Sequence, residues 1–455
     1  MFNRAIALER MSLLKPAAED WQKYLQVDPS GAWSDEARIR LGRILDQLKA
    51  HERSLSEPLL SPSQIARRAV EHDPSLVGAV EERIEDYLQI ATADWLPNAF
   101  PGTPQTTTGD IRQALTLLAD VAKDKHKDLW FSEILAGSSS AAFPSAVRDL
   151  SSANNASVRG DFAAAATMAR SAALRFHASA NLAGELRGKL EEVYALQLSN
   201  QGDECAGAIR EVANSPAITR YTWLAAQLRI EEGICSRLTG NLGGARIRLN
   251  EAAQMAHKAG YEGLRLRTIA FLADFDADDG DLRTGWSQVA LGLEMFWAGK
   301  YPIMRAYNLY ASMDQLADAD DQWHLQVSVW QQAISIISTD QDKLLRAMAY
   351  SRLGTAAFMA DLLPEAQAAF DEASTLLNEA PQTAATRNKI IDVAIWLARV
   401  EARKAQPKEA VAKLEEIRPE LSQLSSRYVV MDFYQALAEL HIRQDHFPES
   451  EKALL

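Results

Sequence analysis

The sequence predicts an all-α protein: a superhelical solenoid of antiparallel helix pairs, repeating about every 40 residues, preceded by an irregular helical region. Three observations predict it. First, Ala165, Gly207, Ala245, Gly285, Leu325, Ala366, Ala410 and Ser450 recur at a nearly constant spacing, a period of about 40 residues that belongs to stacked helix pairs. Second, a turn signature recurs between the helical patterns: Gly160-Asp161, Gly240-Asn241 and Gly280-Asp281. Gly reaches the positive φ of a helix end, and Asp or Asn after it can accept the free N–H groups of the next helix. Third, hydrophobic residues make up 47% of the 455 residues, with Ala, Leu, Glu, Arg and Gln abundant and β-branched runs scarce.

Taken in order, residues 1–50 hold one isolated repeat-like copy, carried by Ala5, Leu8, Ala17, Trp21, Tyr24 and the loop Asp28-Pro29-Ser30. A helix follows over 34–49. Pro58 and Pro62 make 51–63 a loop. Residues 51–145 form an irregular helical connector with helices expected over 62–71, 76–91, 111–123 and 129–135. Between them, 97–110 is too rich in Pro, Gly and Thr for regular structure and is expected to be its most mobile part. From 146 to 455 the array continues, its small residues sitting where two helices must approach closely. Both ends of the chain fall within a repeat, and the last residues, Ala453-Leu454-Leu455, are apolar. A terminal repeat normally presents a polar outer face, so the chain is expected to be a piece of a longer protein, truncated at its C-terminus.

The clearest copy reads Tyr350, Leu353-Gly354 and Ala357, then Ala366, Phe370 and Ala373. It resembles the tetratricopeptide repeat (TPR). A narrower resemblance rests on Ala7-Leu8-Glu9-Arg10-Met11, Trp21-Gln22-Lys23-Tyr24-Leu25, Asp28-Pro29-Ser30 and the connector's Lys127-Asp128-Leu129-Trp130. These look like the helical front half of large bacterial TPR proteins whose array is followed by a CHAT domain, a caspase-like peptidase fold. The resemblance implies a regulatory or recognition arm of a protease-like protein. That family's catalytic His and Cys have no counterpart in this sequence, because Cys205 and Cys235 lie in expected repeat helices.

Other chemistry is thin. A net charge of −13 argues against a nucleic-acid partner, which would want a basic stripe, and allows basic partners. No apolar stretch is long enough to suggest a membrane span, and a cytoplasmic setting is the default expectation. The two cysteines give neither a disulfide framework nor zinc spacing and read as small core residues. Phosphate-loop, H-E-x-x-H, C-x-x-C and G-x-S-x-G motifs are absent, so no cofactor, metal or catalytic residue is assigned. The acidic turn Asp274 to Asp281 misses the calcium-loop spacing, with Gly285 where the closing Glu belongs.

In TPR arrays the first helix of each pair lines the concave face. On that geometry the candidate groove residues are Asp274, Asp278, Tyr307, Tyr310, Asp314 and Asp318, with Arg399 and Arg403 as a basic counterpart. Acids at helix C-termini oppose the macrodipole at about 0.3–1 kcal/mol each, which suggests a use for them. The expected function is a non-catalytic scaffold binding a peptide or partner domain, basic in character or a downstream domain of the same polypeptide. A small-molecule-sensing helical domain of a bacterial regulator is the alternative.

Overall fold

The computed structural model describes residues 1–101, 108–338, 342–404, 406–424, 426–444 and 446–454. The centre of the expected mobile loop, residues 102–107, lies outside them, as does Leu455. Every regular element among the described residues is helical, and the fold is a TPR-like array of helix pairs. The chain forms two compact units, Leu55–Leu309 and Met1–Ser54 with Tyr310–Leu455.

The opening helices are α1 (Phe2–Arg10), α2 (Leu14–Val27) and α3 (Ser34–Ser56). Helix α3 runs through the stretch expected as loop from residue 51, because Pro58 alone stops it: the residue before a proline is pushed out of the helical region. The connector comprises α4 (Pro62–Val70), α5 (Leu76–Glu81), α6 (Ile84–Ile90), α7 (Leu96–Ala99), α8 (Gly109–His126) and α9 (Trp130–Ala136). The helix expected over 76–91 is thus two, α5 and α6. A wide turn of π geometry, Ala91–Trp95, leads from α6 into α7. Pro97 has no N–H for the carbonyl of Ala93, and the Ser151 hydroxyl donates to that carbonyl instead.

The array follows in pairs: α10 (Phe143–Val158) with α11 (Phe162–Ala178), α12 (Leu182–Leu198) with α13 (Gly202–Ala213), and α14 (Thr222–Leu238) with α15 (Leu242–Ala259). Next come α16 (Glu262–Asp278) with α17 (Leu282–Ala298), and α18 (Ile303–Asp318) with α19 (Trp323–Ile337). The remaining pairs are α20 (Lys343–Met359) with α21 (Leu363–Glu379), α22 (Ala384–Arg403) with α23 (Pro407–Ile417), and α24 (Arg427–Ile442) with α25 (Phe447–Leu454).

The turn chemistry works as the sequence predicts. Gly160, Gly240 and Gly280 adopt φ of +77°, +81° and +76°. Asp161, Asn241 and Asp281 then accept from the N–H of Ala164, Gly244 and Thr284, capping α11, α15 and α17. The residue four places after the cap is the one buried against the preceding helix: Ala165, Cys205, Ala245, Ala366 and Ala410 are fully inaccessible, as is Ala17 after the cap Leu13. This corrects the frame at its two loosest copies. The positions in phase are Cys205 and Gln326, following the caps Gln201 and Gln322, and not Gly207 and Leu325. Gly354 marks another close approach, since a Cβ there would lie 2.6 Å from the Phe370 ring.

The two cysteines, expected as separate core residues with no disulfide, are instead bonded to each other. Cys205 and Cys235 form a disulfide between α13 and α14, with Cα atoms 6.1 Å apart. They are well separated along the chain, but adjacent helices bring them face to face.

In the unit Leu55–Leu309, apolar connector side chains share one continuous core with α10 to α16; Trp130 of α9 stacks on Trp223 of α14 at 5.2 Å. In the other unit the N-terminal pair is not isolated. Helix α2 packs on α19, the N–H of Lys15 donates to Gln332 at 2.6 Å, and the Tyr310 hydroxyl donates to the carbonyl of Ser12 at 3.0 Å. No helix among the described residues is long and apolar enough to cross a membrane.

Candidate partner-binding surface

The first helices of successive pairs place residues one repeat apart at equivalent points, so Arg187, Gln227 and Arg267 correspond, as do Glu191, Glu231 and Phe271. On α12, α14 and α16 these positions carry charge and are nonetheless buried: Arg187, Glu191, Glu231 and Arg267 are all less than a tenth exposed. Arg187 pairs with Glu191 at 2.8 Å within α12, and the Ser157 hydroxyl donates to Glu191. Arg267 reaches back one repeat to Glu231 at 2.7 Å and to Gln227 at 2.8 Å. Its guanidinium also lies over the rings of Tyr194 and Phe271, at 5.5 and 5.6 Å. Burial pushes the Glu231 carboxyl above its ordinary range against the pull of Arg267.

The connector adds two more buried carboxylates. Helices α14 and α16 begin after Tyr221 and Tyr261, neither of which caps with its side chain. Asp128, just ahead of α9, accepts from the N–H of Trp223 at 2.6 Å and from the Tyr261 hydroxyl at 3.1 Å. Glu85 of α6 accepts from the N–H groups of Gly263 and Leu264 at 2.8 and 3.3 Å. Each helix start therefore takes its anionic cap from the connector, where the macrodipole favours negative charge. Burial raises both groups despite these donors, Glu85 to about 7 and Asp128 to about 6. Glu85 also borders a recess of about 230 Å³ with Glu82, Asp86, Glu262, Lys300 and Tyr301.

The eight residues singled out from the sequence divide between the two units. In Leu55–Leu309, Asp274 and Tyr307 are half-buried, and exposed Asp278 is ion-paired with Arg237 of the preceding repeat. Its neighbours Asp276 and Asp279 both engage Arg246. The acidic turn is thus held by arginines of the repeat before it, and that pairing offsets the macrodipole cost that suggested a ligand. In the other unit, Tyr310 is buried and bonded to Ser12. Asp314 is buried as well, and burial raises it to about 6 against the pull of Arg352. Asp318 is exposed and accepts from Gln326 at 3.4 Å.

Arg399 is buried, held by Asp432 through two bonds of 3.0 and 2.8 Å and by Glu439 at 3.2 Å, with its guanidinium 4.6 Å over the Trp396 ring. Arg403 is partly exposed, 3.4 Å from Asp361 and over the Phe358 ring. Asp278, Arg399 and Arg403 each join one repeat to the next. Tyr310, like Ala270 and Ile230 one and two repeats before it, faces the core, while the polar positions of this register stand three residues earlier, at 227, 267 and 307. Sequence reasoning missed Arg187, Glu191, Glu231 and Arg267, although their place in the repeat register was there to find.

Large apolar side chains do stand exposed on α24. Tyr428, Met431 and Ile442 are 73%, 67% and 48% accessible. At about 100° per residue all three fall within one narrow stripe of the helix.

No protein-family model matches the chain, and no curated protein matches it. Among solved structures the chain is similar to a signal-transduction ATPase with numerous domains (STAND) that has a tetratricopeptide-repeat sensor, from Pyrococcus horikoshii. That likeness has 11% identity and a TM-score of 0.36 over 94% of this chain, which spans about half, 53%, of that one. A circular tandem repeat protein with novel repeat topology is similar at 12% identity and a TM-score of 0.13, over 99% of this chain and 95% of the other.

Proposed function

We propose that this chain is a non-catalytic scaffold that binds a peptide or a partner domain along the first helices of its array. The observation that carries the reading is the stripe of Tyr428, Met431 and Ile442 on α24. Tyr428 and Met431 stand in water one turn apart, with Ile442 about three turns further along the same face, and apolar groups gathered on one exposed face are what an interaction surface offers. Aromatic and Met side chains also supply most of the anchoring in such contacts. With a chain charge of −13, a basic partner is favoured on approach. In proteins of the TPR–CHAT arrangement that the sequence resembles, the partner would be the domain downstream in the same polypeptide, held in check by the array.

A pull-down comparing two sets of variants tests this. Changing Tyr428, Met431 and Ile442 to Ser should abolish capture of the partner, with the helical circular dichroism unchanged. Changing Asp274, Asp278 and Asp318 to Asn should weaken it only modestly and in a salt-dependent way. A partner held equally well by both sets would overturn the proposal.

A further inference from the structure

In the unit Met1–Ser54 with Tyr310–Leu455, the first helices α20 and α22 bury one face in the same way. On α22, Ile391, Ile395, Arg399 and Ala402 share a face through spacings of three and four, and each is less than a tenth exposed. The matching positions of α20, Ala347, Ser351 and Phe358, are buried too. In each case the first helix of the next pair takes part in the cover. Phe358 meets the Trp396 ring of α22 at 5.5 Å. Ile391, Ile395 and Ala402 share one apolar cluster with Phe433, Ala436, Leu437 and Leu440 of α24, and Arg399 is held by Asp432 and Glu439 of the same helix.

One repeat on, the same face of α24 carries Met431, Gln435, Glu439 and Ile442, and all four are exposed. The apolar stripe thus occupies the positions that α20 and α22 give to a stacked helix. The chemistry of an occupant follows from the interface before it. Phe433, Ala436, Leu437 and Leu440 recur at spacings of three and four, the apolar side of an amphipathic helix. The polar contact changes sign: where α22 presents Arg399 to two acids, α24 presents Glu439. Asp432 and Glu439 outnumber Arg399, and Arg443, four residues beyond, makes no ion pair with Glu439 among the described residues. A basic side chain is the complement. A second copy of this chain is a poor source of one, since its α24 brings another Glu439 and its net charge is again −13.

We infer that the partner lays a basic amphipathic helix along this face of α24, stacked on it as α24 is stacked on α22. The inference rests on the reading of α24 as the interaction surface, and adds the form and charge of what binds there.

Two labelled peptides with the sequence of residues 426–443 are the probes, each titrated with the intact chain and read by fluorescence anisotropy. One keeps the natural sequence. The other carries Asp432→Lys and Glu439→Lys, which keeps the apolar side of α24 and reverses its charge. The reversed peptide should bind saturably at a single site, about tenfold tighter than the natural one or better. In the chain, Met431→Ser should weaken that binding by about tenfold and spare the core, because Met431 is exposed. Leu174→Ser, at an exposed apolar residue of the other unit, should leave it unchanged. Equal binding of the two peptides, no binding of either, or binding that survives Met431→Ser would overturn the inference, while the pull-down separately decides the scaffold reading. Self-association of the chain that Met431→Ser abolishes would overturn it in favour of a second copy.

Discussion

Breaking the pair between Arg267 and Glu231 should cost more than any other single change to a charged residue in the array. Arg267→Ala leaves Glu231, which is 1% exposed, without its counterion, a loss of about 3–5 kcal/mol in urea unfolding. The double variant Arg267→Met with Glu231→Gln should regain most of it, because neither charge then remains. A similar contrast separates two glycines. Gly354→Ala drives a methyl into the Phe370 ring and should cost about 1–3 kcal/mol. Gly240→Ala meets nothing within 4 Å and should cost about 1 kcal/mol, from its left-handed backbone alone. The turn glycines and their caps were legible in the sequence because their chemistry is local. The role of Arg399 was not. Whether such a side chain lines a groove or bridges two repeats depends on Asp432 and Glu439, which belong to the next pair of helices.

At the scale of elements, the connector is joined to the array by helix starts that lack caps of their own. Glu85 and Asp128 have folded pKa values raised to about 7 and about 6, above their unfolded values. The native state therefore holds protons more tightly, and the stability these groups contribute falls as pH rises from about 4 through 7. Glu85→Gln and Asp128→Asn should each flatten the decline in melting temperature between pH 5 and pH 8. Buried His51 and His126 are pushed the other way, toward the neutral form, and comparing each variant with wild type cancels their effect. An unchanged slope would contradict the burial that raises these two carboxyls above their ordinary range. Connector helices could be found from the apolar periodicity of segments such as 111–123. Their destination could not, because nothing in Glu85 or Asp128 announces a bond to the N–H of Gly263 or Trp223, far along the chain.

For the whole molecule, the repeat register was the strongest signal and determined the fold. It blurred at the two copies that rested mainly on spacing: Gly207 stands two places from Cys205, and Leu325 one place from Gln326. Counting four residues from each helix cap restores the phase, since the cap fixes where the first buried turn must fall. The location of the N-terminal pair against α19 lay beyond sequence reasoning, resting on bonds such as Lys15 to Gln332. If the array is built of equivalent pairs, each contacting only its neighbours, its stability is a sum over pairs and their interfaces.

Excision of residues 342–382, which removes α20 and α21 and joins α19 to the capping Thr383 of α22, tests that equivalence most directly. Helical ellipticity per residue should stay at the wild-type value, with a cooperative thermal transition at a lower temperature. A collapse of ellipticity, or loss of the transition, would mean that the pairs are not interchangeable units and would contradict the account.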